Sequence, residues 1–451
     1  MKKTFLVWLT GAAMLICGTA IGQNTPPAAP GAPAGGYPRA TFNPPDYTSL
    51  SEGNPVDTRP PEIATASPQF PGQTRAPYHK SVPYREIEIA GALHAPWAIG
   101  FLPDGKFLVT EKLPGAFRVI DPQGNMAPPV TGLEALGVTW PETGLFDLAL
   151  DPRFSSNHRV FFTFFAYDHG MVGDIQVGRA TFDEAANALR DVKVIFRAIP
   201  LTPNDGNPAI GSRSGGRIAI GPDGYLYVTI GDRDINGPST WRVAQVLDTD
   251  LGKVIRITTD GKPAPGNPFI GQPDARPEIW ATGLRSQEGL AFDSAKRLWL
   301  TDDGPRGGDE INLIEKGKNY GWPIITYGID YAGPPIGAAI TAKDGMEQPV
   351  YYWSPSVAPS GMTFYYGDLF PQWKGDLFIG TLRGNALLHI TMKDGKVTSE
   401  EPLLTDLHRR IRDVRVGPDG ALYVLTDSGT GSILDNTAPA SKLIKLVPGP
   451  G

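Results

Sequence analysis

The sequence predicts an all-β protein, a six-bladed β-propeller with four-stranded blades. Three observations lead to this fold: a pair of short strands recurs along the chain, a Pro-Asp-Gly or similar turn joins each pair, and copies begin roughly 45 to 80 residues apart. The six copies are WAIGFLPDGKFLVTEK, LFDLALDPRFSSNHRVFFTFF, RIAIGPDGYLYVTIGD, GLAFDSAKRLWLTDD, MTFYYGDLFPQWKGDLFIGT and VRVGPDGALYVLTD. Units of this kind close into one ring, so we expect a single folded domain.

Local chemistry accounts for each turn, because proline presets φ, aspartate bonds nearby backbone, and glycine adopts the positive φ that closes the hairpin. Between the copies, runs such as Lys253–Ile257 and Lys442–Leu446 predict the remaining strands of the blades. The segment Tyr84–Gly91 precedes the first copy, and we expect it to pair with the last blade and close the ring.

Length and charge restrict the classes of partner. A chain of 451 residues with 41% hydrophobic content is long enough for two or three domains, but the repeats favour one ring. The net charge of −6 is mild and no basic tract occurs, which argues against nucleic acid as a partner. No run of about 18 apolar residues follows the first 22, so no membrane span is expected. The predicted partners are small molecules.

Residues 1–22 have the pattern of a secretory signal peptide. Lys2 and Lys3 give a positive start, and the apolar run Phe5–Ile16 is too short to span a bilayer. The small-x-small pattern Ala20-Ile21-Gly22 then precedes Gln23, where the mature chain is expected to begin. The sequence thus predicts a periplasmic or secreted protein.

Cys17, the single cysteine, lies inside this signal segment, so the mature chain has no thiol. Disulfides, cysteine catalysis and thiolate metal sites are therefore excluded. Residues 23–80 are rich in Pro, Gly, Ala and Thr, which predicts a disordered leader. The propeller is expected to occupy residues 81–451.

The most informative stretch is Thr301–Pro323, TDDGPRGGDEINLIEKGKNYGWP. Asp302 and Asp303 end an apolar run, and Asp309 and Glu310 follow a Gly-Pro and a Gly-Gly pair. Oxygen ligands on glycine-rich backbone suit Ca²⁺. The alternative is a polar loop with solvated acidic residues, because the spacing is not that of an EF-hand.

Polar residues recur where inner strands of a propeller begin or end. Such positions meet at one end of the central channel. The polar residues at these positions are Glu142, Arg213, Arg285, Asp302 to Pro305, Arg383, Arg410 and Arg412. Several guanidinium groups around one channel would bind a flat polyanion, because arginine matches a carboxylate with two hydrogen bonds. For each arginine alone, the alternative is a structural ion pair between blades.

These residues resemble those of the soluble quinoprotein aldose sugar dehydrogenases, a family that includes soluble glucose dehydrogenase and uses pyrroloquinoline quinone (PQQ) with calcium. The resemblance covers nearly all of Tyr84–Pro448. Its motifs are GPRGGDEINLIEKGKNYGWP, LRSQEGLAF, SGGRIAIGPDGYLYVTIGD, SPSVAPSGM and RIRDVRVGPDG. It implies oxidation of the C1 hydroxyl of an aldose to a lactone. Electrons would leave through a separate acceptor, since no Cys-x-x-Cys-His motif for haem occurs.

The resemblance also assigns the metal ligands. In the family, the backbone carbonyls of a Gly-Pro pair hold calcium, and Gly304 and Pro305 match that pair. Asp309 and Glu310 match acidic residues near the calcium sites, with Asp309 expected to face the channel.

The cofactor contacts are implied in the same way. Arg285 matches the arginine that polarises the reactive quinone carbonyl. Arg410 and Arg412 match the Arg-x-Arg pair that grips cofactor carboxylates. Arg383 stands where the family has a lysine that touches the cofactor, so the charge is kept.

Three positions depart from the family pattern. Arg213 replaces the histidine that takes the proton from the sugar, and an arginine stays protonated in proteins. Ser286 replaces an asparagine, and Glu142 replaces a glutamine that positions cofactor and substrate. Candidate replacement bases are His408, Glu142 and Asp303, the last two if a low dielectric raises the carboxyl pKa.

Two functional hypotheses remain. In the first, the protein is an exported PQQ-dependent dehydrogenase, in which Arg285 and Ca²⁺ stabilise charge on the quinone oxygen and a carboxylate or histidine is the base. In the second, a propeller of the same descent has lost turnover and binds a carbohydrate or another anion in its arginine-lined channel.

Overall fold

The computed structural model describes residues 45–112, 115–138, 144–168, 172–200, 202–203, 213–233, 241–427 and 440–450. They form a six-bladed β-propeller, as the repeats predict. Each blade is an antiparallel sheet, and the first strands of neighbouring blades contact one another around the whole ring. The ends of these inner strands surround the central channel.

The first three blades contain the following strands. Blade one has three strands among the described residues: Pro96–Phe101, Phe107–Glu111 and Ala116–Ile120. Blade two has Gly144–Leu150, Arg159–Asp168, Val172–Asp183 and Ala188–Arg197, with the short strand Thr202–Pro203 beside the third. Blade three has Gly215–Ile220, Leu226–Ile230, Lys253–Ile257 and Ile279–Thr282.

The other three blades each have four strands. Blade four has Gln287–Phe292, Leu298–Asp302, Asp309–Ile314 and Tyr351–Trp353. Blade five has Pro359–Phe364, Leu377–Thr381, Leu387–Lys393 and Lys396–Leu403. Blade six has Arg410–Val416, Leu422–Asp427, Ser441–Pro448 and, as its outermost strand, Tyr84–Leu93.

Helix is confined to single turns in the described part of the chain. The α-helix is Phe154–Asn157, and the 3₁₀ turns are Leu133–Leu136, Trp241–Ala244, Pro371–Trp373 and Thr405–Leu407. None of these helices is long and apolar enough to cross a membrane.

Ring closure follows the prediction. Tyr84–Leu93 runs antiparallel to Ser441–Pro448, with Tyr84 opposite Pro448 and Leu93 opposite Ser441. The last blade therefore takes its outer strand from the N-terminal side of the ring and its other three strands from the C-terminal side. This pairing ties the two ends of the propeller together through backbone hydrogen bonds.

The Pro-Asp-Gly turns also have the predicted geometry. Gly105, Gly224 and Gly420 have φ values of 88°, 78° and 78°, and the N–H of each donates back three residues. A residue with a Cβ rarely adopts this backbone conformation, which explains the glycine in each repeat.

Charged residues buried near the axis join four blades. Arg217 Nη1 donates to Asp413 Oδ1 over 2.9 Å, and Arg415 bridges Asp413 Oδ2 at 3.0 Å and Asp147 Oδ1 at 2.7 Å. The backbone N–H of Ile99 also donates to Asp413, over 3.2 Å. Blades one, two, three and six are thus linked, and removal of one partner would leave a buried charge unpaired.

The predicted disordered leader needs a correction over its second half. Residues 45–83, hereafter the strap, lie against the outer strands of blades four and five. Tyr352 N–H donates to Gln73 O over 2.8 Å, and Glu400 N–H donates to Pro77 O over 3.0 Å. The prolines prevent regular strands but allow an extended path whose backbone groups pair with the blades. Residues 1–22 and 23–44 lie outside the described residues.

Candidate active site

A cavity of about 500 Å³ opens where the blades converge at one end of the channel. Side chains or backbone from all six blades or from the segments that join them line it: Trp97, Lys112, Phe146, Arg213, Ser214, Gly215, Arg285, Ser286, Glu288, Asp303, Tyr331, Leu382, Arg410 and Arg412. This volume is typical of a site for a small organic ligand. Arginines 213, 285, 410 and 412, which are distant in sequence and were expected at the channel, all line this cavity.

Two charged residues on the wall were not predicted, Lys112 and Glu288. Lys112 follows the second strand of blade one, in VTEK, as Asp303 follows the second strand of blade four, in LTDD. That shared repeat position was the available signal for Lys112. Burial lowers the pKa of Lys112 to about 8, and the nearby charge of Arg412 contributes. A cation held in this way favours an anionic ligand.

Arg285 is buried and fixed from several sides. Its Nη1 donates to Asp303 O over 2.5 Å, and its Nη2 is 3.2 Å from the Tyr331 hydroxyl. Its guanidinium carbon lies 5.4 Å from the centre of the Trp322 ring, within reach of a cation–π interaction. The guanidinium is therefore held in one orientation at the cavity wall.

Asp302 fixes the backbone of Arg285 and of the residue that follows it. The N–H groups of Arg285 and Ser286 donate to its two carboxylate oxygens over 2.8 Å and 2.5 Å. Burial raises the pKa of Asp302 to about 7, although these hydrogen bonds act in the opposite direction. Ser286 itself lines the cavity, with its Oγ 3.5 Å from Glu288 Oε1.

Asp303 presents a carboxyl group to the cavity. Its Oδ1 is buried and has no hydrogen-bond partner among the described residues. Burial raises the pKa of Asp303 well above its usual value, and the charges of Asp309 and Glu288 add to this effect, while Arg285 opposes it. A carboxyl in this environment holds its proton to higher pH than an exposed aspartate, and its ionised form is a stronger base.

Arg410 and Arg412 share a carboxylate. Arg412 Nη2 donates to Asp427 Oδ2 over 3.0 Å, and Arg410 Nε lies 3.5 Å from the same oxygen. Arg412 Nη1 is also 3.5 Å from Glu288 Oε2. Burial raises the pKa of Glu288, and Arg412 is the main charge that opposes the shift. Two guanidinium groups are thus aligned on one side of the cavity.

Arg213 lines the cavity and forms an ion pair with the buried Asp232. The residue has a φ of 51° and is 9% exposed. Its Nη1 is 3.4 Å from Asp232 Oδ2, to which Trp322 Nε1 also donates over 2.7 Å. The charged guanidinium therefore occupies the position where the family resemblance places a histidine base.

Three other predicted residues do not join the described cavity wall. Arg383 is partly exposed, and its charge contributes to lowering the pKa of Arg410, after burial and Arg412, but its side chain does not line the cavity. His408 is exposed at the end of a 3₁₀ turn and does not line the cavity either. Glu142 lies outside the described residues.

The predicted metal loop turns between two strands of blade four. No donor among the described residues reaches the carbonyl oxygens of Gly304 or Pro305, which are thus available as ligands. A Cβ on Gly304 would lie 2.1 Å from Gly307 O, so only glycine fits there. The carbonyl donors suit the calcium that the family resemblance implies.

Asp309 and Glu310 occupy different environments from those predicted. Asp309 Oδ1 accepts from Gly304 N–H over 2.9 Å, and its Oδ2 accepts from Val357 N–H and Ala358 N–H over 2.7 Å and 2.8 Å. Ser356 Oγ also donates to Asp309 Oδ2. Asp309 therefore holds the Gly304–Gly308 loop through hydrogen bonds and does not line the cavity.

Glu310 points away from Asp309 because neighbouring residues of a strand face opposite sides. Its Oε2 accepts from Asn312 Nδ2 over 2.9 Å, and burial raises its pKa to about 8. Among the described residues, no group of three or more His, Cys, Asp or Glu side chains could hold a metal ion.

Comparison with known proteins identifies relatives of this chain. The family model described as Glucose / Sorbosone dehydrogenase matches residues 93–435. The chain is 39% identical over 347 residues to the aldose sugar dehydrogenase YliI of Escherichia coli strain K12, an alignment that covers 76% of this chain and 90% of that protein.

Solved structures give the same result. The apo form of the soluble aldose sugar dehydrogenase from Escherichia coli superposes with a TM-score of 0.71 at 36% identity, covering 81% of this chain and 100% of that one. The PQQ-bound form of an aldose sugar dehydrogenase from Streptomyces coelicolor superposes with a TM-score of 0.63 at 27% identity, with the same coverage.

Proposed function

The chain belongs to the glucose/sorbosone dehydrogenase family, and from this premise we propose that it is an exported, PQQ- and calcium-dependent dehydrogenase that oxidises the C1 hydroxyl of an aldose to a lactone. The observation that carries the proposal is the cavity, where Arg285, Arg410, Arg412 and Lys112 meet beside the Gly304–Pro305 loop. Export is inferred from the signal-like residues 1–22.

The cavity wall suits PQQ, a flat tricarboxylate. Arg410 and Arg412 supply aligned guanidinium groups for carboxylates, and Lys112 adds a third cation. Trp97 and Phe146 add aromatic side chains to the wall, and these would pack against a planar ring. The carbonyls of Gly304 and Pro305 would hold Ca²⁺ against the cofactor.

The chemistry divides between cofactor and chain. When bound, PQQ with its calcium would supply the electron sink that accepts hydride from C1 of the sugar. Arg285 would stabilise negative charge on the quinone oxygen, because its guanidinium is already oriented by Asp303 O and by the Asp302 contact to its backbone. Burial excludes water, which strengthens this interaction.

Asp303 is the residue we assign to accept the proton from the sugar hydroxyl. Its carboxyl lines the cavity, and burial raises its pKa, which makes the carboxylate a stronger base than an exposed aspartate. Arg213 cannot serve, since a guanidinium stays protonated. His408 is exposed and does not line the cavity. Glu142 is the second candidate, from its place in the sequence.

Reconstitution tests the proposal. Purified apo-protein is mixed with PQQ and Ca²⁺, separated from free cofactor, and examined for PQQ absorbance. A panel of aldoses is then added with an artificial electron acceptor, because the chain has no haem-attachment motif and needs a separate acceptor. The proposal predicts retained absorbance and aldose-dependent dye reduction. Protein that retains no PQQ would contradict it.

A second function has one observation in its favour. The guanidinium of Arg213, paired with Asp232, stands where the family resemblance places the base. A propeller of this descent without turnover would bind a carbohydrate or another anion in the same cavity. Retained PQQ absorbance without dye reduction for any aldose would support this second function over the first.

A further inference from the structure

The strap, residues 45–83, forms a hairpin of its own before the ring begins. Gly53 N–H donates to Tyr78 O over 2.8 Å, and Tyr78 N–H donates to Asn54 O over 2.6 Å. Pro55 and Pro77 form an antiparallel bridge beside this pair. The strap lies outside residues 93–435, the part of the chain that the family model matches.

Several hydrogen bonds fix the strap to blades four and five. Gln73 Nε2 donates to Pro349 O over 2.9 Å, and Ala76 N–H donates to the Tyr351 hydroxyl over 2.9 Å. Ala76 is also buried in the hydrophobic cluster that fills the space between these blades. Further along, Trp373 Nε1 donates to Ser81 Oγ over 3.0 Å. The strap is therefore part of the folded unit.

The strap meets the active-site side of blade four at Ser354. Glu62 N–H donates to Ser354 Oγ over 3.1 Å, and Arg75 Nη2 donates to Ser354 O over 3.1 Å. Ser354 follows the outer strand of blade four and precedes the Ser356–Ala358 turn that bonds Asp309. The strap thus contacts the segment that supports the loop from Gly304 to Gly308.

A direct contact joins the strap to that loop. Glu62 Oε2 lies 3.0 Å from Arg306 Nε, and the two side chains are only 16% and 14% exposed. A Cβ on Gly307 would lie 2.8 Å from Ser354 Oγ and 3.2 Å from Glu62 Cγ. The loop is therefore packed closely against Glu62 and Ser354, and it has a φ of 72° at Gly307 that other residues rarely adopt.

We propose that the strap is a positioning element for the cofactor site, in which Glu62 acts through Arg306 to hold the carbonyls of Gly304 and Pro305 in place. Arg306 directly follows Pro305, so a restraint on its side chain limits the rotation of the peptide groups before it. The part of this inference that concerns metal rests on the proposed function. The part that concerns the loop does not.

The test compares Glu62→Gln with Glu52→Gln. Both variants replace one strap glutamate by its uncharged isostere. Glu52 differs from Glu62 because its partner is the exposed His79 and not a residue of the Gly304–Gly308 loop. Hydrogen exchange of the peptide spanning residues 303–309 is followed by mass spectrometry in the apo-protein. We expect exchange to be roughly three- to tenfold faster in Glu62→Gln and unchanged in Glu52→Gln.

Arg306→Gln removes the other half of the ion pair and provides a second variant. The double variant with Glu62→Gln is expected to exchange no faster than either single variant, because both changes remove the same contact. Additive effects would contradict a shared contact. A merely structural role would lower the thermal midpoint and increase exchange throughout blades four and five, whereas the proposal confines the change to the loop.

Calcium affinity provides the functional readout. In the presence of PQQ, the Glu62→Gln variant should bind Ca²⁺ several-fold more weakly by calorimetry, with Glu52→Gln equal to the wild type. Unchanged exchange and unchanged affinity in Glu62→Gln would overturn the inference. Faster loop exchange in a protein that binds no Ca²⁺ in any form would uphold the strap's action on the loop and reject the calcium assignment instead.

Discussion

Asp302 accepts the backbone N–H of Arg285 over 2.8 Å, so a carboxylate from the second strand of blade four fixes the start of that blade's inner strand. The guanidinium of Arg285 then reaches the cavity from a backbone that Asp302 holds through hydrogen bonds. This relationship links sheet geometry to the electrostatics of the site, because adjacent strands of one blade supply the charge and its anchor.

Stability of the apo-protein should depend on pH through carboxyls of this kind. Burial raises the pKa of Asp302 to about 7, of Glu310 to about 8 and of Glu400 to about 7. Unfolded carboxyls ionise near pH 4, roughly, so the folded state binds more protons between about pH 4 and pH 8. The free energy of unfolding should therefore fall as pH rises across this range.

Urea unfolding at pH 5, 6.5 and 8 would measure this dependence. Glu310→Gln removes one of the titrating groups and should flatten the slope, because glutamine carries no proton to lose. A free energy of unfolding that rises with pH across the same range would show that these carboxyls are not the groups in control.

Asp303→Asn tests the assignment of the proton acceptor. Asparagine keeps the size of the side chain but cannot take a proton, so kcat should fall by about 10²- to 10⁴-fold, while PQQ absorbance is retained. The acidic limb of the pH–rate profile should also disappear. Ser286→Ala, on the same wall, is the control and should lower kcat far less. An active Asp303→Asn enzyme would move the role to Glu142.

Lys112→Met tests whether the unpredicted cation contributes to cofactor binding. Burial lowers the pKa of Lys112 to about 8, so its charge is costly in the apo-protein. The charges of Glu288 and Asp427 offset part of this cost, and an anionic ligand would offset more of it. We expect the Kd for PQQ to rise about tenfold, the effect of losing one charge-assisted hydrogen bond. The thermal midpoint of the apo-protein should rise at the same time.

Lys106→Met serves as the matched control in blade one. Lys106 is 43% exposed at its side chain and pairs with Asp104 at the opposite end of the same strand from Lys112. It should leave PQQ affinity unchanged. Equal loss of affinity in both variants would mean that net charge, and not the cavity contact, governs binding.

Arg213→His tests whether the arginine at this position, where the family pattern has a histidine, limits turnover. A histidine at this position would lie near Asp232, which could accept from one ring nitrogen and leave the other as a base. Turnover should rise about tenfold or more above pH 6.5, roughly the ordinary pKa of histidine. Arg213→Gln removes the guanidinium without adding a base and should give no gain. A gain in both variants would assign the effect to lost charge.

The architecture could be predicted because its causes are local and repeated. Each Pro-Asp-Gly turn specifies its own hairpin, and the recurrence of the unit specifies the ring. The arginines of the cavity were predictable for the same reason, since they occupy equivalent places in the repeat. Lys112 occupied such a place too, and was missed because lysine after a strand is common on protein surfaces.

Other features depend on contacts between distant segments. The strap has the composition of a disordered leader, and its order comes from backbone pairing with blades four and five, which composition does not encode. Asp309 appears beside the metal loop in sequence, yet Val357 and Ala358 from the next blade connection capture its carboxylate. Neither the order of the strap nor the hydrogen bonding of Asp309 can be predicted from the sequence within a few residues of these positions.

A crystal structure of the protein with PQQ and Ca²⁺ is the most direct test of the central claim. The account predicts PQQ in the cavity, with a quinone oxygen at Arg285, carboxylates at Arg410 and Arg412, and the metal bound by the carbonyls of Gly304 and Pro305. PQQ bound elsewhere on the propeller, or a metal remote from Gly304 and Pro305 while PQQ occupies the cavity, would contradict it.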